Sequence, residues 1–390
     1  YVVNPFTDKA YFDFDLSKSH VAVAQRIMDD IIDLEMEKID KILQKIASDP
    51  EDDNIKRTER ELWEKIKAKT VQGRRTGVGT TAEGDMLAAM GLTYGTDEAT
   101  AFSVEVHKNL ALAAYRSSVN MAKERGAFTV YDAKRELNNP YINRIKEADP
   151  ELYKEMAKYG RRNIACLTIA PTGTTSIMTQ TTSGIEPVFQ PVYRRRRKVN
   201  PNDKNVHVDY VDEVGDSFEE YIVFHHKFIT WMNANGYTYD ATHRYSQAEV
   251  DELVQKSPYF HATANDVDWL QKVRMQGAIQ KWVDHSISVT INLPSDVTEE
   301  LVGNLYEEAW RCGCKGCTVS RDGSRGNVLE SVDKKDKEKD KDKKNCVCFD
   351  NKVRVRPNEL ECDVVRFQNN KDKWIAFVGL KDGMPYEIFT

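Results

Sequence analysis

The sequence has no uninterrupted apolar stretch approaching the roughly 18 residues that read as a membrane span, which argues against a membrane partner. It has no basic-then-apolar leader, so nothing in it addresses the chain for export. Cysteine is sparse and odd in number: seven in 390 residues, at 166, 312, 314, 317, 346, 348 and 362. In a large chain without a leader, an odd count argues for a reducing cytoplasm rather than a disulfide framework. No histidine follows His285, and the one C-x-x-C, Cys314 to Cys317, has no second pair at metal-ligand spacing, so a zinc site is not expected. A net charge of -6 offers nucleic acid no general attraction. Internal repeats are absent as well.

What remains is ordinary globular composition, 40% hydrophobic and 30% charged, in a length that suggests two or three domains. Residues 14 to 47 read as a long helix, with Ile27, Met28, Ile31, Ile32, Leu34, Met36, Ile39, Ile42, Leu43 and Ile46 at mixed spacings of three and four. A second helix is predicted from Asn54 to Thr70, and a third from Asp97 to a glycine stop at Gly126. Gly73-Arg-Arg-Thr-Gly-Val-Gly79 breaks the helical pattern and suits a short strand whose glycines admit another backbone. Asn163 to Ala170 and Ser286 to Leu293 read as buried strands stopped by Pro171 and Pro294, and Thr298 is the predicted N-cap of a helix to Cys312. Helices separated by short buried strands indicate an α/β architecture.

Asp333 to Lys344 holds only lysine and acidic residues; it cannot build a core and is expected to be a flexible linker. Beyond it, Trp374 to Leu380, a Lys381-Asp382-Gly383 turn and Tyr386 to Phe389 predict a small β-rich module. The expected domains are therefore residues 1–330, a tether over 331–349 and a module over 350–390.

Three segments could carry chemistry. In Thr168-Ile-Ala-Pro-Thr-Gly-Thr-Thr-Ser176 a strand runs through Pro171 into a glycine flanked by hydroxyls, then a helix. Free amides and short hydroxyls there suit a phosphate or carboxylate; the alternative is that Thr172, Thr174 or Ser176 only caps the helix. No lysine follows Gly173, which excludes a Walker loop. Arg194 to Lys198 is five consecutive positive charges, either a phosphate holder or a solvated face. Cys346-Val-Cys348 sits at the end of the charged tether, where two near-adjacent thiols suit disulfide exchange unless the pair is incidental.

Taken together, several segments resemble the ribonucleotide reductase large chain. Leu167 to Ser176 followed by Ser183-Gly-Ile-Glu-Pro-Val-Phe189 looks like the family's substrate-phosphate loop and the strand after it. Arg75 to Gly79 is similar to one of its barrel strands. Asp284 to Pro294, Ala309 to Gly316 and Arg321-Asp-Gly-Ser-Arg325 are similar to its last barrel segment. Class I members carry two adjacent radical-relaying tyrosines where Thr318 and Val319 stand here, so the resemblance points to class II, which uses adenosylcobalamin. Ser320 departs from the tyrosine common in class II.

The resemblance implies the C-terminal half of a ten-stranded α/β barrel plus the terminal module. It implies reduction of a ribonucleoside diphosphate or triphosphate by radical chemistry, with Pro171, Thr172, Gly173, Thr174, Thr175 and Ser176 holding the substrate phosphates. Cys346 and Cys348 are then the candidate pair re-reduced by a thioredoxin-like dithiol. The family's radical cysteine lies in an Asn-x-Cys-x-Glu loop, and that motif does not occur in this sequence. A complementary N-terminal half is therefore an expected partner, and a homodimer is compatible. The competing expectations are a non-catalytic nucleotide-binding or assembly subunit and a class I large-subunit fragment.

Overall fold

The computed structural model describes residues 1–199, 207–211, 217–321, 359–369, 372–381 and 383–389. The chain divides into two compact units, one drawn from Tyr1–Tyr193 and Ile222–Ser331, the other from Arg194–Tyr221 and Val332–Thr390. Among the described residues no helix is long and apolar enough to cross a membrane.

The first unit opens with a two-stranded hairpin, β1 (Val2–Val3) and β2 (Tyr11–Phe12), and then two long helices, α1 (Phe14–Ser48) and α2 (Asp53–Gly73). Asp13 caps α1 by accepting from the Leu16 amide, and Asp52 caps α2 by accepting from Asn54, so each end has a carboxylate on an orphan amide. α3 (Glu83–Ala89) and α4 (Asp97–Arg125) follow; α4 begins at a Thr96 cap and ends at Gly126, whose φ of 85° suits glycine. Both long-helix expectations hold, as does the Gly126 stop.

The apolar run predicted for α1 is only partly core-facing. Ile32, Ile39 and Ile46 are buried, but so are Gln25 and Asp29, while Ile27, Ile31 and Leu34 face out. The buried polar pair is explained by its partners. Asp29 accepts from Arg74 and Asn163, and Gln25 donates to Thr76 and Asn163.

After α5 (Pro140–Ala148) and α6 (Pro150–Tyr159) the chain enters the predicted strand at 163–170. It is extended and central, but it forms single parallel bridges rather than a continuous ladder: Leu167 to Val78 on one side, Ile169 to Ile287 on the other. The interruption has a cause. The amides of Cys166 and Leu167 donate to the Asp284 carboxylate, at 2.8 Å each, instead of to a strand carbonyl. α7 (Gly173–Thr179) follows. The predicted strand at 286–293 is regular only over its second half. Naming β3 (Val192–Lys198), β4 (Tyr210–Val211) and β5 (Ser217–Phe224) in chain order makes this half β6 (Thr290–Leu293), and it pairs in parallel with β7 (Thr318–Arg321).

Segments 75–79, 163–170, 285–293 and 318–321 thus succeed one another as an open parallel array. Helices α8 (His226–Ala234) and α9 (Gln247–Lys256) share a separate core with Val188 and Phe224, whereas α4, α10 (Trp269–Gln280) and α11 (Glu299–Arg311) pack on the array. The main core joins Val78, Leu167, Ile169, Ile287 and Val289 of the array to Leu110, Ala114 and Tyr115 of α4 and Met275 and Ile279 of α10. Thr298 caps α11 as predicted, accepting from Leu301.

Most residues of β3, β5 and β4, a three-stranded sheet in that order, fall in the second unit. β8 (Glu361–Asn369), β9 (Asp372–Lys381) and β10 (Met384–Phe389) form an antiparallel meander. This is the small β-rich module read from the sequence; Asp382 of the predicted turn and the tether over 333–344 lie outside the described residues.

Candidate functional site

The strand at 163–170 ends at Pro171, and the chain turns on Thr172, which adopts a left-handed conformation (φ 50°, ψ 23°) before α7 begins. A β-branched residue is an outlier there, so the surroundings must hold it. Its hydroxyl accepts from the Gly184 amide at 2.7 Å and lies 3.1 Å from the Thr81 hydroxyl. Thr172 occupies the N-cap position of α7, yet its side chain makes no capping bond, so the simple capping alternative fails at this residue. Ser176 is buried, with its hydroxyl donating to the Gly173 carbonyl at 2.7 Å.

Two of the six predicted residues therefore spend their hydroxyls inside the protein, Thr172 on Gly184 and Thr81, Ser176 on Gly173. Pro171, Gly173, Thr174 and Thr175 face solvent, and a Cβ at Gly173 would meet nothing within 4 Å. The first-turn amides of Gly173, Thr174 and Thr175 have no intrahelical acceptor. The exposed face of the loop can thus present backbone N–H groups and two threonine hydroxyls to an anion.

The turn from Thr81 to Asp85 forms the floor. Thr182 and Asp85 hold each other reciprocally, the Thr182 amide on Asp85 Oδ2 at 2.8 Å and the Asp85 amide on Thr182 Oγ1 at 3.2 Å. The amides of Ala82 and Glu83 donate to the carbonyls of Thr182 and Gly184. Asp85 Oδ1 also accepts from His225 Nε2 at 2.8 Å and from the Tyr259 hydroxyl at 2.9 Å, which ties the floor to a second core around Phe228 and Trp231. A side chain at Gly84 would strike the Glu186 carbonyl, so this crossing requires glycine.

Buried ionisable groups lie alongside. Burial pushes the Glu83 carboxyl above the usual range, against the pull of His107, whose Nδ1 is 4.0 Å away. That ring nitrogen lies 2.8 Å from the Ser103 carbonyl, and Nε2 lies 3.2 Å from the Thr80 hydroxyl. Lys272 is buried, donates to the Thr290 carbonyl at 2.6 Å, and is pushed down by burial while Glu186 opposes the shift. Glu186 accepts from the Thr290 amide at 2.9 Å.

The other predicted residues are elsewhere. Cys346 and Cys348 lie outside the described residues. Cys312 ends α11; burial raises its thiol and that of Cys317, and Cys314 is pushed up to about 12, so none is a poised thiolate. Burial likewise pushes up the Cys166 thiol. The arginine run forms β3, where Arg194 pairs with Glu220 at 3.3 Å and Arg197 with Glu219 at 2.9 Å. The carboxylates of Asp29, Asp30 and Asp33 converge, but Arg74, Arg125 and Arg162 answer their charge.

Sequence reasoning missed Thr81, Asp85, Thr182, His225 and Tyr259. Their pairings span distant stretches of the chain and leave no local pattern to read.

The family profile described as "Ribonucleotide reductase, barrel domain" matches residues 2–320, and one described as "NrdJ homologue C-terminal domain" matches residues 360–390. A vitamin B12-dependent ribonucleoside-diphosphate reductase of Mycobacterium tuberculosis is 28% identical over 82% of this chain and 38% of its own length. One of the same description from Thermoplasma acidophilum is 27% identical over 82% of this chain and 34% of its own. A ribonucleoside-diphosphate reductase subunit alpha of Treponema pallidum is 24% identical over 64% of this chain and 25% of its own. The chain thus spans well under half the length of these relatives.

Proposed function

Because the chain belongs to the ribonucleotide reductase barrel-domain family, we propose that it is the C-terminal portion of a vitamin B12-dependent ribonucleoside-diphosphate reductase whose substrate phosphates rest on Pro171 to Ser176. The observation that carries this reading is the loop itself. Within the family-matched region, Gly173, Thr174 and Thr175 face open space, while Thr172 and Ser176 fix their backbone from behind. A cradle fixed before the ligand arrives holds the ribose in one place, and its contribution to rate is orientation.

The diphosphate substrate and the cobalamin class follow the names of the relatives, and Thr318 and Val319 on β7 agree, since neither side chain can relay a radical as tyrosine does. Adenosylcobalamin would supply the radical when bound. Two cavities among the described residues bear on its fit to this chain. A cavity of about 590 Å³ between α1 and α4 and one of about 710 Å³ beside Asn4 and Asn233 are of drug-ligand size, and neither is lined by residues of the loop. No residue of this chain is therefore assigned to the corrin, and no step is drawn through it.

In this reading residues 1–330 are barrel, 331–349 a tether and 350–390 a terminal module; Cys346 and Cys348 pass electrons from a thioredoxin-like dithiol; and the protein works in the cytoplasm with the remainder of the barrel, alone or as a homodimer. The test is deoxyribonucleotide formation from CDP by the full-length protein with adenosylcobalamin and a dithiol, comparing wild type with Gly173→Val. The substitution adds a side chain where this chain has nothing to strike, so a loss of CDP binding reports on the ligand. Unchanged CDP affinity removes the loop from the site.

A further inference from the structure

Thr81 has no role in the loop as read from the sequence, yet its hydroxyl sits at the centre of a hydrogen-bonded chain that closes the loop. A threonine hydroxyl donates once, which fixes the direction of that chain. The Gly184 N–H donates to Thr172 Oγ1 (2.7 Å), Thr172 donates to Thr81 Oγ1 (3.1 Å), and Thr81 donates to the Thr182 carbonyl (3.2 Å). Both hydroxyl protons are used within the chain, and such chains strengthen their members.

The chain also explains a strained residue. Thr172 is held at φ 50°. Left-handed backbone at a non-glycine position is unfavourable and persists only when the surroundings over-determine it. We propose that Thr81 is a positioning residue for the phosphate loop, a latch that holds Thr172 left-handed and thereby aims the amides and hydroxyls of residues 173–175 at the ligand. This rests on the reading of 171–176 as the phosphate cradle. Without the latch, Thr172 relaxes toward an ordinary conformation and swings the first turn of α7. Residues 173–175 and 177–180 are exposed, so the movement disturbs little packing. Ligand affinity is then affected far more than stability.

The experiment measures equilibrium binding of CDP, and separately KM and kcat for CDP, in the full-length protein carrying Thr81→Val, Thr81→Ser, Thr172→Val, the Thr81→Val/Thr172→Val pair, or Gly173→Val. Loss of one hydrogen bond of ordinary strength corresponds to roughly a five- to tenfold loss of affinity. Thr81→Val is expected to weaken CDP by about that factor and to raise KM with kcat little changed, the pattern of lost uniform binding. Thr81→Ser keeps the hydroxyl and is expected to match wild type. The pair is expected to be no weaker than Thr172→Val alone, because both substitutions break one chain. If Gly173→Val abolishes binding while Thr81→Val binds as wild type, or if Thr81→Ser is as weak as Thr81→Val, the latch is overturned and the loop reading stands. If Gly173→Val binds CDP normally, the loop reading falls and the latch with it.

Discussion

Gly79 passes so close to Thr168 that a Cβ on it would lie 2.1 Å from the Thr168 carbonyl oxygen. Backbone cannot retreat as a side chain can, and the Val78 carbonyl next to it accepts the Thr168 amide at 2.9 Å. Gly79→Ala must therefore push apart neighbouring segments of the parallel array. Gly77 is near the same residue, but a Cβ there meets the Thr168 methyl at 2.7 Å rather than backbone, and that side chain can yield at the cost of its bond to the Ser286 carbonyl. The expected order is Gly79→Ala well below Gly77→Ala in stability. Overpacking typically costs about 1–3 kcal/mol, and the backbone clash puts Gly79→Ala at the upper end or beyond. Urea unfolding of the two variants checks the order; equal midpoints would refute the close approach.

That contact was legible in the sequence because a glycine repeated every second residue has few explanations in a strand. The long helices were legible from local signals: α1 carries apolar residues at spacings of three and four, and the Thr298 cap and Gly126 stop mark ends of α11 and α4. The site was only partly legible. Pro171 to Ser176 stood out by composition, but which hydroxyls face a ligand depends on their bonds to Gly184 and to Thr81, the latter far away in sequence. The same holds for Asp284. Its motif was visible, but its use as acceptor for the amides of Cys166 and Leu167 was not, and that bond is why the expected strand is broken into bridges.

The Asp29 carboxylate lies in the interior between three arginines: Arg74 Nε at 2.8 Å, Arg162 Nε at 3.3 Å and Arg125 Nη1 at 3.5 Å. Asn163 Nδ2 donates to it at 2.9 Å. Removing one partner of a buried ion pair leaves charge without compensation, so Asp29→Ala is expected to cost about 3–5 kcal/mol. Burial alone would raise this carboxyl, but the hydrogen bond and charge of Arg74 prevail and hold it below the usual carboxylate range. A depressed value means the unfolded chain takes up the proton first as pH falls. The stabilisation is complete above the ordinary aspartate value of about 4 and disappears as pH drops through the folded value. The melting temperature of wild type should fall over that acid range more steeply than that of Asp29→Asn.

Glu83 has the opposite sign. Burial raises its carboxyl, so the folded state prefers the protonated form. Its contribution is fully present below the ordinary glutamate value of about 4.3 and declines as pH rises through the higher folded value. Glu83→Gln keeps the shape and removes the ionisation. It is expected to leave the melting temperature unchanged near about pH 4 and to raise it relative to wild type near about pH 8. Thermal scans across that range decide the matter; a variant less stable than wild type at the alkaline end would show that the ionised carboxylate is favourably held, for instance by His107.

Cys346 and Cys348 lie outside the described residues. Of the other five thiols, Cys166 is sealed in the core, and burial raises Cys312, Cys314 and Cys317 away from the thiolate form needed for exchange. Cys362 stands on β8, exposed and without a second cysteine near it in sequence. A C-x-C pair next to a run of alternating charge is therefore the best-suited element of this chain for carrying electrons from a protein dithiol. Cys346→Ser with Cys348→Ser in the full-length protein is expected to remove most thioredoxin-supported turnover. Turnover with a small dithiol, which can diffuse into the site unaided, should survive. Because the two reductants are compared in one variant, a folding defect would lower both rates and is told apart from a broken relay. Undiminished turnover with thioredoxin would take the pair out of the electron path.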